Sequence, residues 1–187
     1  MQELFNYFNS ILRLQPQALE ALGKICSVQT AKKNELLQTF GHTCRTLYFL
    51  KSGVARIFYY KDGTDITEYF AFEGDLIARL ESFFTGEPSQ KAIQILEDAE
   101  IFVIRATELD ALYNEYPQVE RLFRLLFEAA YVKTIKRMES IQFHSAEERY
   151  KDLLQTTDIV QRIPLKHIAS YLGITQVSLS RIRSQLK

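Results

Sequence analysis

The sequence predicts an α+β protein: an N-terminal antiparallel β-barrel of the double-stranded β-helix or jelly-roll kind, a long helix, and a C-terminal helix-turn-helix whose wing is reduced or absent. Three observations carry that prediction. Gly41, Gly53, Gly63, Gly74 and Gly86 punctuate the first half every ten to twelve residues, with β-rich runs between them, which is the rhythm of a sandwich or barrel. Pro117 opens an uninterrupted helical stretch to about Ile141, and a proline in the first turn loses no hydrogen bond. The last 23 residues, LKHIASYLGITQVSLSRIRSQLK, read as two short helices joined by a tight turn.

Gln2–Leu12 and Pro16–Cys26 have the spacing of short amphipathic helices. The runs RTLYFL, VARIFYY and TEYFAF are the first expected strands, and Lys91–Leu96 and Glu100–Arg105 the last. Lys61-Asp62-Gly63-Thr64 is the clearest hairpin, because Asp-Gly accepts the positive φ angles of a tight turn. Thr107 is placed to cap a helix through Tyr113, with Asp110 at the capping-box position. In the long helix, Leu122 to Val132 is apolar on nearly every side, so it needs cover from more than one direction. The barrel covers one side. A second copy of the same helix is the simplest cover for the other, and burial within one chain is the alternative.

Gln142-Phe143-His144 leaves that helix, and Ser145-Ala146-Glu147-Glu148 opens the next with a capping box. This junction is the expected hinge and boundary. Arg149 to about Thr156 leads into Asp158–Arg162, and Pro164 starts the first helix of the last pair. No hairpin is evident between Arg149 and Pro164. The expected division is 1–116 for the barrel, 117–143 for the long helix and 144–187 for the helix-turn-helix.

With 187 residues, 47% hydrophobic and 25% charged, the chain has the composition of a globular protein with a real core. No apolar run approaches a membrane span, and MQELFNYF lacks a basic-then-apolar signal, so a cytoplasmic protein without a membrane partner is expected. Cys26 and Cys44 make neither a disulfide framework nor a zinc pattern; buried structural thiols or a redox pair are both open. The net charge is zero, but it is an average over unlike parts. Met1 to Asp110 carries 11 basic and 15 acidic residues, Ala111 to Gln161 carries 7 and 8, and Arg162 to Lys187 carries 5 and none. The positive field is confined to the tail, as contact with nucleic-acid phosphate requires.

In that tail, Ile168, Ala169 and Leu172 recur at helical spacing before Gly173 breaks the run as a left-handed C-cap. Thr175 is a good N-cap, and Thr175, Leu179, Ile182 and Leu186 stack on one side of the second helix. Ala169 sits where the two helices cross closely. Gln176, Val177, Ser178, Arg181 and Arg183 are left on the other side, offering donors and a methyl-bearing surface to a major groove.

A barrel, a long helix and a C-terminal helix-turn-helix, in that order, resemble the Crp/Fnr family of bacterial transcription regulators. The local pieces that carry the resemblance are Ser52-Gly53-Val54, Phe72-Glu73-Gly74-Asp75, Ile168-Ala169-Ser170-Tyr171-Leu172-Gly173 and Ser178-Leu179-Ser180-Arg181. The resemblance implies a cyclic-nucleotide-binding-like sensor, a dimerisation helix and a homodimer that reads a palindromic operator in double-stranded DNA, with RNA polymerase as a further partner. It places Gln176, Val177 and Arg181 against bases: Arg181 bidentate to guanine, Gln176 on adenine or a phosphate, and Val177 on a thymine methyl. Lys166, Ser178 and Arg183 then hold phosphates, with Thr175 at the head of the reading helix.

Two departures limit the resemblance. The family's cyclic AMP site uses a Gly-Glu pair and an Arg-Ser pair; the matching positions here are Ala78-Arg79 and Ser89-Gln90. Both the acid and the phosphate-binding arginine are missing, so cyclic AMP is expected to bind weakly or not at all. Arg79, Glu81, Ser82, Ser89 and Gln90 are the candidate pocket for an unidentified small-molecule effector, although Arg79 and Glu81 also read as a solvated surface pair. The second departure is the missing wing.

No cofactor is expected. Two cysteines cannot hold an iron–sulfur cluster, and none of His42, His144 and His167 sits in a recognisable haem or metal context. His167 is expected at the surface or facing phosphate. A ligand-binding or adaptor protein whose helix-turn-helix only packs is the competing reading. An enzyme is disfavoured, because no nucleophile–base pair or Gly-rich phosphate loop is present.

Overall fold

The computed structural model describes residues 1–156 and 159–186; Asp158, where the segment before Pro164 was expected to start, and Lys187 lie outside the described residues. Two short helices come first, α1 (Gln2–Ile11) and α2 (Pro16–Lys24). The strands β1 (Cys26–Ala31), β2 (Leu36–Gln38), β3 (Thr46–Ser52), β4 (Ala55–Lys61), β5 (Thr64–Ala71) and β6 (Leu76–Ile77) follow. The helix α3 (Leu80–Thr85) then precedes β7 (Ala92–Ile95) and β8 (Ala99–Arg105). Beyond them come α4 (Ala106–Glu115), α5 (Pro117–Phe143), α6 (Ala146–Thr156), α7 (Ile159–Arg162), α8 (Leu165–Tyr171) and α9 (Gln176–Gln185).

The strands do not close into a single barrel. They form two four-stranded antiparallel sheets, ordered β1-β8-β3-β6 and β2-β7-β4-β5. β2 has three residues and β6 has two, too few to carry a ladder round from one sheet to the other. The first sheet is built on β8, which pairs with β1 from Cys26↔Ile104 to Ala31↔Ala99. On its other side β8 pairs with β3 from Thr46↔Arg105 to Ser52↔Glu100, with a register shift between Leu50 and Ser52. The expected hairpin is present: Asp62 and Gly63 take φ of 51° and 75°, the left-handed pair of a two-residue turn.

Two local expectations are corrected. The second helix stops at Lys24, and Cys26 begins β1. That strand is exposed at four of its six positions, so no apolar alternation betrays it in the sequence. Thr107 is not a cap. β8 runs straight into α4 with Arg105 as its N-cap residue, and Ala106 N–H donates to the Arg45 carbonyl at 2.9 Å, leaving Thr107 inside the helix. The capping box at Ser145 is made as expected: Ser145 N–H donates to Glu148 Oε2 at 2.7 Å, and Glu148 N–H to Ser145 Oγ at 3.3 Å. The Ser145 backbone bond, first, holds the Glu148 carboxyl below its usual pKa.

The chain divides into two compact units, one of Met1–Ile57 with Phe70–Ala129, the other of Phe58–Tyr69 with the chain from Ala130 onward. In the first, Leu4, Phe8, Leu22, Phe102, Leu109 and Phe123 are wholly buried in one core with Val119 and Leu122 of α5. Each such side chain contributes roughly 1.5–3 kcal/mol of transfer free energy. Phe123 lies with its ring centroid 5.8 Å from Phe8 and 6.1 Å from Tyr113. The first half of α5 is thereby sheltered. The second half shows apolar side chains to solvent: Tyr131 is 67% exposed and Met138 and Ile141 are each 49% exposed.

Cys26 shows what this burial does to a reactive group. Its thiol donates to the Leu22 carbonyl at 3.1 Å, and burial, with Glu108 nearby, pushes its pKa up to about 12. The thiolate is the nucleophile, so iodoacetamide at pH 8 is expected to alkylate Cys26 only after unfolding. Mass spectrometry with and without denaturant checks this; equal labelling in both would contradict it.

Candidate nucleic-acid interface and effector segment

In the second unit α8 and α9 are joined by a tight turn, built as their residues dictate. Ile168, Ala169 and Leu172 are buried on one face of α8, and Leu179 of α9 is wholly buried against them. After α8, Gly173 takes φ +71°, and Ile174 N–H reaches back to the Ala169 carbonyl at 3.0 Å in a Schellman closure. Thr175 Oγ1 then accepts from Ser178 N–H at 3.1 Å, capping α9. Leu186 departs from expectation: it lies past the helix and is 38% exposed.

With Leu179 inward, helical periodicity turns Gln176, Val177 and Arg181 outward together, and all three are exposed. Val177, 64% exposed, is an apolar side chain left in water on an otherwise polar strip. Ser180 lies on the same exposed strip, a position that sequence reasoning left out although its spacing of three from Val177 was visible. Lys166 and Thr175 are exposed, and Ser178 and Arg183 half-buried at the flanks. His167 is corrected: it is 7% exposed, with Nδ1 4.0 Å from Asp65 Oδ1, and faces no open surface. It lies in the first turn of α8 on the side that packs, where its neighbours Ile168 and Ala169 are also buried.

Contacts that sequence could not show surround α8. Arg137, on α5, stacks 3.8 Å from the Tyr171 ring centroid and donates to the Tyr171 carbonyl. Burial, the largest cause, pulls its pKa below the ordinary arginine value. Arg149, on α6, donates to the Leu172 carbonyl from Nε at 3.2 Å and Nη2 at 2.7 Å, and from Nη1 to the His144 carbonyl. The expected hinge at Phe143–Ser145 is therefore bridged by a single guanidinium that also satisfies the end of α8.

The effector candidates are brought together only in part. Arg79 is 7% exposed, with Nε 3.3 Å from Ser89 Oγ and Nη2 3.7 Å from Glu81 Oε2. This is a buried guanidinium rather than a solvated pair. Ser89 Oγ also accepts from Lys91 N–H at 3.1 Å, and Ser82 Oγ accepts from Cys44 N–H at 2.9 Å and donates to the Glu87 carbonyl at 2.5 Å. Arg79, Ser82 and Ser89 thus pin α3 and the strap after it. Glu81 and Gln90 are exposed. Among the described residues no group of three or more His, Cys, Asp or Glu is placed to hold a metal, and no helix is long and apolar enough to cross a membrane.

Two four-stranded sheets are thus followed in the chain by a helical C-terminal region. Residues 28–116 match the family model of the cyclic nucleotide-binding domain. Residues 28–116 are similar to that domain, a helical C-terminal region follows them, and the fold is similar to those of several solved structures. FixK2 from Bradyrhizobium japonicum superposes with a TM-score of 0.75 at 20% identity, over 87% of this chain and 84% of that one. A protein from Eubacterium rectale assigned to the Crp/Fnr family as a transcriptional regulator gives 0.72 at 22% identity, over 95% and 85%. In sequence, the transcriptional regulatory protein btr of Bordetella pertussis is 26% identical over 102 residues, 48% of this chain. The match spans less than half, 42%, of that protein's length.

Proposed function

We propose that this protein is a non-enzymatic, homodimeric regulator of transcription that reads a specific, palindromic site in double-stranded DNA through α9. A sensor domain at 1–116 takes an unidentified effector, the helix at 117–143 dimerises, and residues 144–187 bind DNA. One observation carries the reading: Gln176, Val177 and Arg181 stand outward together on a capped helix whose opposite face is buried. An outward strip with a cationic fork, an amide and an aliphatic tip suits the major groove better than water. Lys166, Ser178 and Arg183 flank it as phosphate partners, and Thr175 holds the helix start. The exposed apolar residues of α5 are where a second copy would pack, and two heads about 34 Å apart would meet one turn of DNA.

The effector differs in chemistry from cyclic AMP. Arg79 stands where the resembling family has its ribose-binding acid, and Ser89 where it has its phosphate-binding arginine. RNA polymerase is a further partner of the kind the resemblance implies.

Selection of bound sites from random DNA tests the reading directly, and is expected to return an inverted repeat. Affinity for that repeat should fall about two to three decades between 50 and 200 mM salt, because several phosphates are neutralised by the two heads together. Binding that ignores salt, or no enriched sequence at all, would leave the fold without this role.

A further inference from the structure

A phenylalanine ring on α3 stands in water beside the point where the long helix leaves its shelter. Phe84 is 61% exposed. Its neighbour Phe83 and Phe127 of α5 are partly buried and pack on the core. Phe84 meets the Phe127 ring edge to face with centroids 4.9 Å apart, and Phe83 meets it at 6.4 Å. The helix that carries Phe84 is pinned. Ser82 is tied to Cys44 and to the Glu87 carbonyl, and Gly86 closes the helix at φ +75°.

Single exposed apolar side chains are ordinary, but this one is continuous with a pattern. On α5, Phe127, Tyr131, Thr134, Met138 and Ile141 recur at alternating steps of four and three, and all except Phe127 are exposed. That is the spacing of a coiled-coil seam, which a helix with the same repeat fills by packing knobs into holes. Lys133, Lys136 and Glu139, also exposed, fall outside the seam, as such pairing requires. One step before Phe127 the pattern ends at Arg124, an exposed residue ion-paired with Glu128. Phe127 is therefore the first layer of the seam, and Phe84 stands against that layer.

We propose that Phe84 is a contact between two copies of the chain: its outward face packs on the partner's α5 at the level of Phe127, so that α3 and α5 form the interface together. The proposal rests on the reading of α5 as the dimerising helix and adds a second element to it. In a two-fold dimer the first layers of both seams face each other across the axis, with the helix axes about 8–10 Å apart. A ring 4.9 Å from one Phe127 then lies within reach of the opposite helix. The symmetry makes the contact twice.

The experiment uses the full chain as Phe84→Ala and Phe84→Leu beside the parent. Sedimentation equilibrium reads the dimer Kd, and circular dichroism checks that helix content is kept. Phe84→Ala is expected to raise the Kd about ten- to a hundredfold, since two buried aromatic contacts are lost, and Phe84→Leu, which keeps apolar bulk, less than about tenfold. A third protein carries a photoreactive benzophenone side chain at position 84. On irradiation it is expected to give a covalent dimer whose cross-link maps to 120–131 of the other copy. A dimeric parent whose Kd moves less than about threefold in Phe84→Ala would overturn the contact. So would a cross-link confined to its own chain, because Phe84 would then act only by supporting Phe127. A parent that sediments as a monomer at every concentration would instead sink the dimer reading of α5, and this contact with it.

Discussion

Replacing Arg181 with alanine is expected to flatten base preference at one position of each half-site and weaken binding to the selected site by about 1–3 kcal/mol per contact. Arg181 is exposed on the outward strip of α9, one turn after Val177 and on the side opposite the wholly buried Leu179. Its planar fork can pair with two acceptors on a guanine edge at once, which a lysine cannot reproduce. Arg181→Lys therefore separates the two uses of the charge. If the fork reads a base, the lysine variant loses preference almost as fully as the alanine variant, while binding to mixed DNA changes little. If Arg181 only neutralises phosphate, the lysine variant behaves like the parent on every sequence. Competition between the selected site and scrambled DNA distinguishes these outcomes.

The largest stability effect is expected at Gly53, in the turn between β3 and β4. Its φ is +91°, and a Cβ built there would stand 2.7 Å from the Ala99 Cβ and 2.9 Å from the Asp98 carbonyl oxygen. The residue is held from two other directions. Its N–H donates to Glu73 Oε1 at 3.0 Å, and the neighbouring Val54 carbonyl accepts from Leu96 N–H at 2.7 Å. Neither the turn nor the facing backbone can retreat without losing those bonds. Gly53→Ala is expected to lower stability by about 2–4 kcal/mol, combining backbone strain with overpacking. That corresponds to a fall in Tm on the order of 5–15 °C for a chain of this size. Gly63→Ala is the control: its φ is +75°, but a Cβ there meets nothing within 4 Å, so only strain of about 1–2 kcal/mol is expected. Calorimetry of the two variants checks the order; a Gly53→Ala protein as stable as Gly63→Ala would mean that the turn yields.

Much of the architecture could be read from residues because local chemistry and global fold agree. Asp62-Gly63, the Ser145 capping box, the Pro117 helix start and the Gly173–Thr175 turn each have one cheap conformation, and each adopts it. The outward strip of α9 follows from helical period alone once Leu179 is assigned inward. What could not be read depended on neighbours distant in sequence. β1 carries no apolar alternation because it is exposed at most positions, and β2 and β6 are too short to show a period. His167 looked like a surface residue because its cover comes from a hairpin about a hundred residues earlier. Arg79 looked like half of a solvated pair because nothing in its own segment announces that Ser89 will close over it. The grip of Arg137 and Arg149 on the last carbonyls of α8 is equally silent in the sequence, since an arginine on a helix reads first as solvated charge.

The pairing of β1 with β8 sets an order of events at birth. The first of the described strands to be made finds its partner only when the last one has left the ribosome, after every strand between them. At roughly 5–20 residues per second that wait is on the order of several seconds. During it, apolar side chains destined for the sheet have no cover, and this interval is when a nascent chain would most need a chaperone.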